Sequence, residues 1–295
     1  RRGGAVDRAM KLASLKSGRD GQLVVVSRDL ARCLPADGIA PTLQAALDDW
    51  SSLAPRLQAL YARLCASDGA GDAAGTLPFD PRRCAAPLPR AYHWVDGSAY
   101  VNHVELVRQA RGAAMPESFW TDPLVYQGGS DDLLGPTDDA RFVDESHGID
   151  LEGEVAVITD DVPMGTTVAD AAAHIRLLVL VNDWSLRNLI PGELAKGFGF
   201  YQSKPATAFS PVAITPDELG DDWRDGRVHR PLRCLVNDAL LGYFMDQGPR
   251  MQLQTGVKMG WTRLYDMAGV TTLSSAIITN NNWIKEPKNQ DALRR

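Results

Sequence analysis

The sequence has little with which to bind soft metals, nucleotides or nucleic acid. Its four cysteines, Cys33, Cys65, Cys84 and Cys234, are scattered and form no C-x-x-C pair. A structural zinc site needs clustered thiolates, so reduced and mostly buried thiols are expected instead. Neither G-x-G-x-x-G nor a Walker-type phosphate loop occurs, which leaves nucleotide binding without a basis. Positive charge is not in excess: 31 Lys and Arg stand against 37 Asp and Glu, a formal net charge of −6. A nucleic-acid partner would select the opposite balance. No apolar run approaches the roughly 18 residues that a membrane-spanning helix needs. The basic opening from Arg1 to Met10 has no apolar segment behind it, so it does not read as a secretory signal. Met10 is a candidate start, with a leader outside the fold before it. A cytoplasmic protein with no nucleic-acid or membrane partner is the expectation.

What is present suffices for a sizeable core. Of 295 residues 44% are hydrophobic, and a chain of that size folds without disulfides. Leu23-Val24-Val25-Val26 reads as a strand. Leu43, Leu47, Trp50, Leu53, Leu57, Leu60 and Leu64 then recur every three or four residues, an amphipathic helical stripe. Pro55 falls inside it and predicts a kink or two helices, with Ser51 or Ser52 as a second cap. The Gly-rich stretch 67–77 predicts a loop, and the prolines of 79–91 an extended connector. Short strand-like runs follow at 155–159, 177–182, 210–215 and 232–237, with helical segments near 101–111 and 168–175. Strands predominate at irregular spacing, which fits a β-rich α+β fold. The division expected is a small N-terminal domain, 1–80, and a main domain, 81–295.

Chemistry concentrates in acidic residues. Glu152 and Glu154 flank Gly153 at the head of an apolar Val-Ala-Val-Ile run. Residues two apart on a strand share a face, so these carboxylates stand side by side. In a partly buried site one of them keeps its proton unless a cation intervenes. Taken alone, such a pair is more often a solvated strand face. Asp183 follows the buried run 177–182, at a strand end where scaffolds present functional groups. Asp96 precedes His103 by seven residues; singly, one reads as a turn residue and the other as a surface histidine. Together Asp96, Glu152, Glu154 and Asp183 form an oxygen-only set, suited to Mg²⁺, Ca²⁺ or Mn²⁺ rather than zinc or copper.

These stretches resemble the fumarylacetoacetate hydrolase family. The likeness rests on five motifs in order: Asp96…His103, Val125-Tyr126-Gln127-Gly128-Gly129-Ser130, Ile149-Asp150-Leu151-Glu152-Gly153-Glu154, Asn182-Asp183-Trp184-Ser185-Leu186-Arg187 and Tyr201-Gln202-Ser203-Lys204-Pro205. It runs from Met10 to Ile214 and more faintly to Gly242. The resemblance implies a mixed β-sheet roll or barrel as catalytic domain behind a small N-terminal domain, assembled as a homodimer. It implies Mg²⁺ or Ca²⁺ on Asp96, Glu152, Glu154 and Asp183, and His103 as the group that activates water. Arg187 and Lys204 match cations that hold the substrate and its developing charge. Tyr126 matches a pocket-lining tyrosine, and Arg111 a further carboxylate-binding arginine. Read without the resemblance, Arg187 would pair with a neighbouring acid and Lys204 would be an exposed loop lysine. The implied reaction is hydrolysis of a carbon–carbon bond in a 1,3-dicarbonyl acid such as fumarylacetoacetate or an acylpyruvate. A same-fold decarboxylase, dehydratase or isomerase of 2-oxo acids, and a catalytically silent metal-binding relative, are the alternatives. The chain departs from the family at Ile190, where a glutamine is usual, with Gln127 and Gln202 as candidates to replace it. A second departure is 273–280, which lacks the family's Gly-Thr-Ile.

Overall fold

The computed structural model describes residues 9–66, 74–98, 101, 104–105, 108, 114–236, 239–242, 259–263 and 276–280. His103, Arg111, most of the expected helix at 101–111 and most of the loop at 67–77 lie outside the described residues. Strand β1 (Lys11–Leu15), β2 (Gln22–Val26) and β3 (Arg32–Pro35) form an antiparallel meander, to which β4 (Leu77–Pro78) adds. The Leu-Val-Val-Val run lies in β2 and is buried at all four residues, as a strand covered on both faces requires. Thr42 caps helix α1 (Leu43–Asp48), its hydroxyl accepting from Ala45 N at 3.1 Å.

Helix α2 (Trp50–Ala66) restarts the chain after a single residue. The stripe does divide into two helices, but the break falls at Asp49 rather than at Pro55. Asp49 leaves helical geometry, with φ −137° and ψ 49°, and its carbonyl accepts from Ser52 N and Leu53 N at 3.2 and 3.0 Å. Pro55 therefore lies in the second turn of α2, where it forfeits one backbone bond. Ala54, Leu57, Tyr61 and Leu64 bury one face of α2.

Further along come the antiparallel pair of β5 (Trp94–Gly97) and β6 (Val125–Gly128), the short β7 (Ile149–Asp150), β8 (Gly153–Thr159) and β9 (Ile175–Asn182). Helix α3 (Val168–Ala171) and a 3-10 turn at Ala172–His174 connect the last two. After β10 (Ser185–Leu186), which pairs with β7, and helix α4 (Ile190–Leu194), β11 (Ala208–Phe209) and β12 (Ala213–Ile214) return to β9. The expected strand at 210–215 is shortened because Pro211 cannot donate to a ladder. A hairpin of β13 (Trp223–Arg224) and β14 (Arg227–Val228) follows, then a separate sheet of β15 (Cys234–Val236), β16 (Ala239–Gly242), β17 (Met259–Arg263) and β18 (Ala276–Asn280).

The main sheet has the order β11-β9-β12-β1-β2-β3-β4, with β8 paired to β9. Its join is β1 against β12, Lys11 opposite Ile214, so one sheet links the N-terminal meander to the strands bearing the acidic motifs. Leu12, Leu23, Leu57, Leu177, Val179 and Phe209 share one buried cluster across that join. The expected sheet-rich α+β class is what the chain adopts, with few helices. Among the described residues no sheet closes into a barrel, and no helix is long and apolar enough to cross a membrane.

Candidate functional site

Register brings the acids together. On the β8–β9 ladder Gly153 stands opposite Asn182 and Glu154 opposite Val181. Asp183 N donates to the Glu152 carbonyl at 2.9 Å, and Glu152 N donates to Asn182 Oδ1 at 3.1 Å. A Cβ at Gly153 would run into the Cys234 sulfur, so the residue between the two glutamates has to be small. Opposed residues on paired strands share a face. Glu154 therefore stands with Val181, on the face where Ala156 and Ile158 pack against the core. The pair is not a solvated strand face. Asp96 arrives from the antiparallel β5–β6 pair, opposite Tyr126.

Carboxylate oxygens of Asp96, Glu154 and Asp183 lie within 4.8 Å of one another. The proton affinities show the strain of that convergence. Burial first, then the charge of Asp183, raises the Asp96 carboxyl. Burial, reinforced by Asp96, Asp183 and Glu152, pushes Glu154 up to about 8. A dication among three oxygen donors relieves this repulsion, and the donors suit a hard cation. The trio therefore fits a divalent ion.

A pH dependence follows. A glutamate with a folded pKa above its ordinary 4.5 contributes stability below that value and loses it as the pH climbs to about 8. Chelator-treated protein should show a falling thermal midpoint between about pH 5 and 8, and Glu154→Gln should flatten the fall. Added divalent ion should raise the midpoint most at the upper end. A divalent-induced rise equal at both ends would remove Glu154 from the site.

Glu152 lies outside the trio, facing two cations. It accepts from Arg187 Nη2 and from Lys204 Nζ, the latter at 3.0 Å. Burial would raise its carboxyl, but Arg187 and Lys204 outweigh that and hold it below the usual range. Lys204 Nζ also donates to Asp183 Oδ2 at 2.6 Å and lies 5.4 Å from the Tyr126 ring centre. Burial works against its charge, yet Glu152 and Asp183 keep the ammonium protonated beyond its ordinary range. The Tyr126 hydroxyl donates to Asp183 Oδ2 and Thr207 Oγ1 to Asp183 Oδ1, both at 2.9 Å. Burial and the Asp183 charge push the tyrosine up, so it remains a donor.

Arg187 Nε donates to Asp150 Oδ2 at 2.9 Å. Its backbone N donates to the carbonyl of Gly148, which has φ +73° and so favours glycine. The β7–β10 ladder, Asp150 opposite Ser185, brings Arg187 to the acids. Arg187 does pair with neighbouring acids, as its plainest reading has it. Lys204 is no exposed loop lysine, since its side chain is 8% exposed. Ile190 is buried in place of the family's glutamine, while Gln127 and Gln202 are exposed. The sequence reading missed Asp150 and Thr207. Asp150 lies inside a quoted motif, four residues before Glu154, whereas Thr207 carries no local signal.

The family profile described as fumarylacetoacetate (FAA) hydrolase C-terminal matches residues 92–243, and that for fumarylacetoacetase N-terminal domain 2 matches residues 10–90. The chain belongs to the fumarylacetoacetate hydrolase family. It is 30% identical over 135 residues to the fumarylacetoacetase of Arabidopsis thaliana, 45% of this chain and 27% of that protein. The match thus spans about a quarter of the curated relative. Among solved structures, an HpcE protein from Mycobacterium smegmatis superposes with a TM-score of 0.54 at 18% identity, covering 72% of this chain and 68% of that one. A fumarylacetoacetate hydrolase from psychrophilic Exiguobacterium antarcticum gives 0.47 at 17% identity, with the same coverages of 72% and 68%. The first likeness is one of fold.

Proposed function

We propose that the chain is a divalent-ion-dependent enzyme that hydrolyses a carbon–carbon bond in a 1,3-dicarbonyl acid, such as fumarylacetoacetate or an acylpyruvate. The observation that carries this reading is the trio of Asp96, Glu154 and Asp183 beside a buried Lys204 side chain and a half-buried Arg187. The trio, with Glu152 at its flank, would hold Mg²⁺ or Ca²⁺, with Mn²⁺ as a substitute. Such an ion supplies Lewis-acid polarisation of carbonyl oxygen when bound.

The chain's own residues supply the rest. His103 takes a proton from water as the hydroxyl joins the acyl carbon. The bond to the neighbouring carbon breaks, and its electron pair moves into an enolate. Lys204 is fixed as an ammonium between Glu152 and Asp183, where it opposes that developing charge without reorganising. The proton taken up by His103 passes to the enolate carbon, which completes two acid products. Arg187 and Arg111 hold substrate carboxylates, and Tyr126 lines the pocket while holding Asp183. On the family resemblance we also propose a cytoplasmic homodimer, with residues 1–80 as N-terminal domain and 81–295 as catalytic domain.

The same acids would serve a decarboxylase or an isomerase, and product analysis separates the cases. Hydrolysis gives two acids, decarboxylation gives CO₂, and isomerisation leaves the mass unchanged. With Mg²⁺ or Ca²⁺ restored to chelator-treated protein, fumarylacetoacetate or an acylpyruvate should lose its ultraviolet absorbance and yield two acids. Protein that binds the ion yet turns over no 1,3-dicarbonyl acid would sink the proposal.

A further inference from the structure

Glu193, in α4, is 8% exposed and faces a row of donors from one turn of chain. Its Oε1 accepts from Gln202 N at 2.7 Å. Its Oε2 accepts from Tyr201 N at 2.9 Å, Ser203 N at 3.2 Å and Ser203 Oγ at 2.5 Å. Three successive residues thus converge on one carboxylate, and the next residue is Lys204. On the outer side of this turn Phe198 is 98% exposed and Tyr201 87% exposed, while Phe200 between them packs edge-on against the Tyr126 ring. Ser203 is fully buried, and its carbonyl accepts from Leu186 N at 2.8 Å, one residue before Arg187.

A buried carboxylate is a costly way to fill space, and an apolar side chain would do that better. It gains where several backbone N–H groups must be held at fixed angles to one another, because its oxygens accept from all of them. Burial works against the charge of Glu193, but the Ser203 hydroxyl and the three backbone donors bring its pKa down to about 2. The group is therefore ionised at any working pH.

We propose that Glu193 is a positioning residue that sets the backbone of residues 201–203 so that the Lys204 ammonium reaches Glu152 and Asp183 together. The contribution to turnover rests on the function proposed above, but the placement of Lys204 does not. Two readouts on the full chain separate them. In Glu193→Gln an amide NH₂ replaces one acceptor and opposes the donors it should satisfy. Acylation of Lys204 by acetic anhydride, followed by mass spectrometry, should quicken roughly tenfold, the size of a modest local opening. Lys11, ion-paired to Glu218 in the N-terminal sheet, serves as the internal control and should keep its rate. In the turnover assay kcat should fall about tenfold or more with KM changed by less than about threefold, as for a misplaced catalytic group.

Ser203→Ala, which removes one donor, carries the same readout should Glu193→Gln fail to fold. Lys204 acylation at the wild-type rate would overturn the proposal, and so would Lys204 and Lys11 quickening together. Wild-type protein that turns over nothing would sink the hydrolase reading alone, because Lys204 acylation still decides the placement.

Discussion

Replacing Asp183 by alanine is expected to remove divalent binding and turnover, and to cost about 3–5 kcal/mol of stability, the range for breaking a buried ion pair from one side. Asp183 is 1% exposed, yet Tyr126, Lys204 and Thr207 all donate to it. Alanine takes this acceptor from the Tyr126 and Thr207 hydroxyls and leaves Lys204 with Glu152 as its acceptor. Asp183→Asn is the instructive companion. It keeps the shape and one carbonyl acceptor but loses the charge that the trio needs, so divalent affinity should fall with a smaller loss of stability. Urea unfolding and calorimetric titration with Mg²⁺ or Ca²⁺ measure the two quantities separately. An alanine variant with undiminished divalent affinity would take Asp183 out of the centre.

The second large effect concerns His103. Alanine there should lower kcat by about 10²–10⁴, the usual worth of a positioned general base, while divalent affinity stays within error of wild type. Imidazole in the assay should restore part of the rate if the missing function is proton transfer. A His103→Ala enzyme as fast as wild type would remove the histidine from the mechanism. Loss of rate together with loss of the ion would recast it as a ligand. Asp96, seven residues earlier in the sequence, belongs to the acid trio.

The parts of this arrangement written in local sequence are those that depend on local sequence. The Leu-Val-Val-Val run of β2 was legible because burial on both faces leaves no polar residue in it, and the apolar stretch before Asp183 because its residues are buried except Leu180 and the terminal Asn182. The joint role of Glu152 and Glu154 was only half legible. Spacing by two places them on one face, but Glu152 precedes the first residue of β8 and is drawn to cations at positions 187 and 204. That choice is made by partners thirty-five and fifty-two residues away. Thr207 and Glu193 were illegible for the same reason, since an isolated threonine or glutamate has no pattern until the chain has folded around it. Pro55 drew attention to a break that the backbone of Asp49 makes instead.

Met10 N donates to Thr215 Oγ1 across 205 positions, beside the ladder joining β1 to β12. On the ribosome, the first strand must wait until that distant stretch has emerged before its outer edge is covered. Closing so long a loop is slow and carries its entropy cost early. Until then the nascent meander presents open N–H and C=O groups to any neighbouring chain, the hazard of an uncovered strand. The bond that unites the sheet thus also marks the edge that stays open longest as the chain folds.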